Sequence, residues 1–424
     1  MKHSVREVQL SNGLKGLVVN VPDADVVHMQ ISFRAGEFLL ERNKWETAHL
    51  LEHLMLGAND TYKTARKFQE ELEKNGAYSN ATTSPYDITY EVETASFDAA
   101  RVLTLVCNAL VSPQFLESEF RSESSNVAEE LILRSNNHFR SLNIALREQE
   151  GYCAVPDAER ATLLKNVTIE DIKNHYATTH SIKNARFIIS GNITNDLLDI
   201  LSTLSFDCDI DRIGLPEEPI RKLSSAVVLQ RKEVSNIYFY VDMHAKQLLN
   251  TRQKDSLTIL TTLLTETLHS LLLGTARERG LVYAMGSGQQ QSKNIGSFWL
   301  GAQVSVKNSI VLFELMREII NNIKDYSINQ QTLSTTKQYI LGKHARSAQT
   351  VESVSEIYAT DYFMFDEFKD DATFISRINS VTRQDLVSTL RSMHEGPWAL
   401  GLLGAVNDDI ATKLYALTDS MLNY

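Results

Sequence analysis

ETAHLLEHLML, residues 46–56, sets His49, Glu52 and His53 in the order H-x-x-E-H inside a run of helical, largely apolar character. Imidazoles four positions apart lie one above the other on a helix face, which suits both to a single zinc ion. Glu52 reaches the same face without taking a ligand position, so it is the candidate base for a water activated there. The order is that of the inverted zincin motif. Chance alone places it in roughly one chain of this size in fifty, so the neighbours must decide. The alternative is a surface helix with two solvated imidazoles. Ala48, Leu50, Leu51, Leu54, Met55 and Leu56 argue against that, because polar groups set among apolar ones need partners.

Catalytic zinc takes three protein ligands and keeps a fourth position open. Residues 116–139, LESEFRSESSNVAEELILRSNNHF, form a long helical pattern whose apolar side is Val127, Leu131 and Ile132. Glu123 and Glu130 are two turns apart and share a face. Glu130 could ligate and Glu123 could orient a ligand. The competing reading of Glu129 and Glu130 is a solvated pair on an exposed face.

The 424 residues, 43% hydrophobic and 22% charged, are those of an ordinary globular chain long enough for two domains with full cores. The start, MKHSVREVQL, contains no run of signal-peptide length, and no stretch of 18 apolar residues occurs, so neither export nor a membrane partner is expected. Cys107, Cys153 and Cys208 are odd in number and widely spaced, which reads as reduced thiols in a cytoplasmic setting. The formal charge of −11 is uneven: residues 1–212 carry 21 basic and 31 acidic groups, residues 213–424 carry 21 and 22. No basic stripe is available for phosphates, so nucleic acid is not an expected partner.

Two matching segments organise the chain. Val167-Thr168-Ile169-Glu170-Asp171-Ile172 opens a helix with Thr168 as N-cap and leads to an apolar strand and Gly191; Val381-Thr382-Arg383-Gln384-Asp385-Leu386 does the same and leads to Gly404. Thr168 and Thr382 are 214 apart, half the chain, which implies duplicated domains (residues 1–212 and 225–424) with a connector at 213–224 containing Gly214-Leu215-Pro216. In the first half, Arg6–Leu10 and Leu14–Asn20 flank a hairpin turn at Ser11-Asn12-Gly13, Val26–Arg34 alternates as a strand, and strands are expected near 78–93. Helical patterns cover roughly 43–56, 63–75, 96–110 and 116–150. Strands followed by helices without β-α-β alternation predict an α+β fold, each domain a mainly antiparallel sheet with helices packed on one face. The second half repeats this with strands at Ala226–Gln230 and Asn236–His244. Its helix Ser256–Leu273 occupies the place of the zinc helix and lacks H-x-x-E-H, so one zinc per chain is expected.

These motifs resemble the pitrilysin and insulinase peptidases, in particular the branch containing mitochondrial processing peptidase. In that family a glutamate ligand follows H-x-x-E-H by 75 to 80 residues, and Glu130 lies 77 after His53, with Glu123 in the place of a supporting glutamate. Gly76-Ala77-Tyr78-Ser79-Asn80-Ala81-Thr82-Thr83 is similar to the family segment that opens the substrate-holding strand, and Asp87-Ile88-Thr89-Tyr90 to the motif after it. Arg277-Glu278-Arg279-Gly280-Leu281-Val282-Tyr283 resembles the R-x-x-R-G-L-x-Y segment, although the arginine register places Ala276 where its first arginine would stand. A capped helix end feeding a strand is the competing reading of Arg277. Glu46 also departs from the pattern, standing where the family usually has glycine, and Gly57 comes one position early.

The resemblance implies a zinc metalloendopeptidase, and the cysteine usage places it in the cytoplasm. His49, His53 and Glu130 would hold one Zn2+, Glu52 would be the catalytic base and Glu123 would support a ligand. Asn80, Ala81, Thr82, Arg277 and Tyr283 would contact a peptide substrate held in extended form. Family members close four such domains around a chamber, so a chain of two domains implies a dimer, either a homodimer or a heterodimer with a homologous chain. The alternative is a scaffold or partner subunit of the same family without catalysis. A small lyase of the S-ribosylhomocysteinase type shares H-x-x-E-H, and the duplication argues against it.

Overall fold

A computed structural model, which describes residues 1–422, resolves the chain into two compact units. The first comprises residues 1–133, 157–216 and 345–371; the second comprises 134–156, 217–344 and, of the described residues, 372–422. The connector expected at 213–224 does contain a crossing, at Pro216 and Glu217, yet each half of the sequence also lends a segment to the other unit.

The sheet of the first unit contains β1 (Ser4–Gln9), β2 (Lys15–Asn20), β3 (Val26–Phe33), β4 (Tyr78–Thr83), β5 (Ile88–Ala95) and β6 (Ala185–Gly191), in the order β1-β2-β6-β3-β5-β4. The β1–β2 hairpin forms where Ser11-Asn12-Gly13 predicts it, with Gly13 at φ 90°. Only β2 and β6 pair in parallel; every other pair is antiparallel. Alternation along β3 sends Val27, Met29, Ile31 and Phe33 into a core shared with Ala48, Leu50, Leu51 and Leu54 of the helix Thr47–Met55. The second unit contains β7 (Val227–Gln230), β8 (Asn236–His244), β9 (Met285–Gln291), β10 (Gly296–Ser305) and β11 (Trp398–Gly404), in the order β7-β11-β8-β10-β9. That is the order β2-β6-β3-β5-β4 repeated, including the single parallel pair, which establishes the duplication at the level of topology. Thr168 and Thr382 both close capping boxes, with Asp171 and Asp385 respectively.

The α+β fold is as expected, with one addition. Helices gather mainly on one face of each sheet, and among the described residues one helix covers the other face. In the first unit this is Val351–Phe365, whose Val354, Tyr358 and Tyr362 pack on Leu17, Val19 and Ile188. Arg34 and Arg212 donate to the carbonyls of Met364 and Phe363 at 2.8 and 2.7 Å, capping the helix where Asp366 turns left-handed at φ 55°. In the second unit it is His138–Glu150, whose Leu142 and Leu146 pack on Tyr240, Ala399 and Leu403. Burying each of these leucines contributes about 1.5–3 kcal/mol.

Two expected helices are broken. The pattern over 116–150 divides into Glu117–Ser135 and His138–Glu150, because the Asn137 side chain accepts from Arg140 N at 3.0 Å and restarts the helix as an N-cap. The pattern over 256–273 becomes Thr251–Thr261, a π-helical turn Thr262–Glu266, and Leu271–Glu278, separated by extended backbone at Thr267. This stretch is long and apolar enough by composition to cross a membrane, but Leu257, Leu260, Leu263, Leu264 and Leu272 fill the core of the second unit.

Candidate metal centre

The helix Thr47–Met55 turns its leucines into the core and leaves His49, Glu52 and His53 along one edge. His49 Nε2 stands 3.3 Å and His53 Nε2 3.6 Å from Glu130 Oε2. Two ligands of a tetrahedral zinc at roughly 2.0–2.2 Å stand about 3.3 Å apart, so the three groups have the spacing of one ion's ligands. Glu130 comes from the helix Glu117–Ser135, where Val127 and Leu131 are wholly buried and turn it inward, whereas Glu129 is exposed. The two glutamates are therefore not a solvated pair.

Each imidazole gives its other nitrogen to a carboxylate. His53 Nδ1 lies 2.9 Å from Glu123 Oε2, and His49 Nδ1 lies 2.9 Å from Glu46 Oε2. Such contacts keep the proton on Nδ1, so that Nε2 of each ring is the nitrogen left to ligate when a cation takes the place of its proton. Burial opposes protonation of His49, yet its hydrogen bonds to Glu130 and Glu46 outweigh it and lift the imidazole to about 9. A field that favours a proton there favours a divalent cation for the same reason. The residues thus fit zinc by number, donor type, spacing and charge.

Burial raises the Glu52 carboxyl above its ordinary value, offset in part by Thr83, whose hydroxyl donates to Glu52 Oε2 at 2.7 Å. Thr83 ends β4, which is an edge strand paired with β5 alone. Asn80, Ala81 and Thr82 lie along that strand, and the Asn80 amide donates to Glu91 Oε1 at 2.9 Å. Arg277 and Tyr283 belong to the second unit, where the Arg277 guanidinium lies 5.0 Å over the Tyr283 ring and donates to its carbonyl. Tyr283 is 84% exposed.

The sequence reading noted Glu46 only as a departure from the family pattern and Thr83 only as the end of a motif, and gave neither a role at the site. Glu46 carries a usable signal, since it precedes His49 by three residues and three-residue spacing shares a helix face. Its second partner, Arg160, lies 114 residues on and carries none.

Glu150, Asp242 and His244 form a second buried group of potential ligands, in the second unit. Here His244 Nε2 and Glu150 Oε1 are 2.6 Å apart, a direct hydrogen bond, and His244 Nδ1 lies 3.1 Å from Tyr152 Oη. That spacing holds a proton and leaves no room for zinc between the two groups. The group is also no copy of the first centre: Asp242 and His244 face the helix His138–Glu150, on the opposite side of β8 from Val241 and Met243 in the main core. No ligand cluster among the described residues includes the helix Thr251–Thr261.

Residues 17–151 match a family model described as insulinase (peptidase family M16), and residues 166–340 match one described as peptidase M16 inactive domain. Over 221 residues the chain is 29% identical to the zinc protease PqqE of Helicobacter pylori, covering 49% of this chain and 48% of that protein. Thus the match spans about half the length of that relative. Over 382 residues it is 20% identical to the non-peptidase homolog YmxG of the same organism, covering 87% of this chain and 86% of that one. A crystal structure of a protease from Helicobacter pylori superposes with a TM-score of 0.82 at 21% identity, covering 95% of this chain and all of that one. A peptidase M16 inactive domain from Pseudomonas fluorescens does so with a TM-score of 0.84 at 15% identity, covering 95% and 99%. At these identities the structures bear on the fold alone.

Proposed function

The chain belongs to the insulinase family, peptidase family M16, and we propose that it is a zinc-dependent metalloendopeptidase. One observation carries this reading: the Nε2 atoms of His49 and His53 both face Glu130 Oε2 at metal-ligand spacing, with Glu52 on the same helix. Zinc held by these three residues supplies Lewis acidity toward water and toward the scissile carbonyl.

Glu52 takes a proton from the attacking water and delivers it to the leaving amine. Thr83 holds one carboxylate oxygen and leaves the other for this transfer. The outer edge of β4 pairs with the backbone of an extended peptide along Asn80, Ala81 and Thr82, so affinity is mainly main-chain and sequence preference is loose. Tyr283 and Arg277 are the proposed substrate contacts from the second unit. A dimer with itself or with a homologous chain, and a cytoplasmic setting, belong to the same proposal.

The second reading is a non-catalytic scaffold or partner subunit, favoured by the similarity to a non-peptidase homolog over 87% of the chain. Incubating the purified chain with quenched peptides, alone and then with a homologous chain, with and without chelator, separates the two. Chelator-sensitive cleavage supports the peptidase. No cleavage in any combination, with zinc added, gives the scaffold reading.

A further inference from the structure

Glu46 is wholly buried at the entry to the metal helix. A carboxylate without solvent is costly unless its oxygens are engaged by cationic or N–H donors. Here Oε1 accepts from Arg160 Nε at 2.5 Å, and Oε2 accepts from Arg160 Nη2 at 3.2 Å while facing His49 Nδ1 at 2.9 Å. Arg160 Nη2 also pairs with Glu37 Oε1 at 2.8 Å, and Asp157 Oδ1 lies 4.0 Å from its Nη1. The network is nearly dry, since Glu37 and Arg160 are buried as well.

Helix capping does not account for Glu46, because its side chain makes no capping hydrogen bond. Core filling does not account for it either, as an apolar residue would fill the space without the desolvation cost. Beyond its two hydrogen bonds to Arg160, the carboxylate faces one further group, the His49 Nδ1 nitrogen. We propose that Glu46 is a positioning residue of the metal centre: it holds His49 with the proton on Nδ1 and Nε2 free to ligate, and Arg160 clamps the carboxylate in that orientation. Each ligand histidine then has its own carboxylate, Glu46 for His49 and Glu123 for His53. The inference rests on the zinc reading and extends it to residues outside the H-x-x-E-H motif.

The test is the zinc dissociation constant of the full chain, measured by competition with a chelating dye, together with the visible spectrum of the cobalt-substituted protein. Glu46→Gln keeps the volume and removes the charge; zinc binding should weaken about 10- to 100-fold with the stoichiometry unchanged. Glu46→Asp keeps the charge but withdraws it by one methylene, and should fall between the two. The cobalt bands of both variants should shift. A purely structural Glu46 would lower the melting temperature and leave the zinc constant and cobalt spectrum as in wild type, which overturns the proposal. If Glu46→Gln fails to fold, wild-type affinity in Glu46→Asp overturns it equally. Wild-type protein that binds no zinc removes the zinc reading and this proposal with it, whereas unchanged binding in the variants alone removes only this one.

Discussion

The hydroxyl of Thr83 donates a 2.7 Å hydrogen bond to Glu52 Oε2, joining the end of β4 to the helix Thr47–Met55. The contact ties the proposed base to the strand on which a peptide would pair, so base and substrate backbone share one reference. Thr83→Val keeps the shape and deletes the donor. A hydrogen bond to a carboxylate favours its charged form, so losing it raises the Glu52 pKa further. The acid limb of the kcat/KM profile should move up by about one pH unit, with little change on the alkaline side. An unmoved acid limb would show that Thr83 does not set the base.

Glu52→Gln leaves every proposed ligand in place. Zinc content and melting temperature should stay at wild-type values while hydrolysis falls by about 10²- to 10⁴-fold and peptide binding remains measurable. Turnover at the wild-type rate would exclude Glu52 as the base.

Glu130 and Glu123 differ in kind, since one faces both Nε2 atoms and the other faces His53 Nδ1 and the Asn126 amide. Glu130→Ala should abolish zinc binding and activity. Glu123→Ala should weaken them about 10- to 100-fold. Equal and negligible effects on metal content would mean that neither glutamate serves the centre.

Metal analysis should find one zinc per chain, lost in His49→Ala and retained in His244→Ala, because the second cluster has hydrogen-bond spacing. A second equivalent of zinc that disappears with His244→Ala would overturn that assignment.

Burial pushes the Glu150 carboxyl up to about 7, against an ordinary 4.5, and the His244 imidazole is raised as well, by Asp242 and Glu150 in opposition to burial. Both groups hold protons more tightly in the folded chain than in the unfolded one. The Glu150 contribution is therefore complete below about pH 4.5 and is lost as pH rises through about 7. Relative to Glu150→Gln, wild type should lose stability across that window, with a slope approaching about 1.4 kcal/mol per pH unit. Denaturant midpoints of both proteins over the range check the sign; parallel curves would refute it.

Particular residues show where the sequence was legible. The four-residue spacing of His49 and His53, the seven-residue spacing of Glu123 and Glu130, and the capping boxes at Thr168 and Thr382 are all local, and the structure contains each spacing and cap as read. The break at Asn137 was also local, but the helical pattern read across 116–150 passed over that N-cap. The interruption at Thr267 was hidden in the same way by the leucines around it.

By itself the sequence determined the α+β class, the duplication and which potential ligand residues share a helix face, because those properties follow from periods of two and 3.6 residues and from donor type. Only the tertiary structure decided that His138–Glu150 and Val351–Phe365 each cover the sheet of the other half's unit, and that Arg160 closes on Glu46 from 114 residues away. An apolar helix face is written in a sequence, but the face it will meet is not. That choice is made by the sum of buried area and ion pairing over the whole chain.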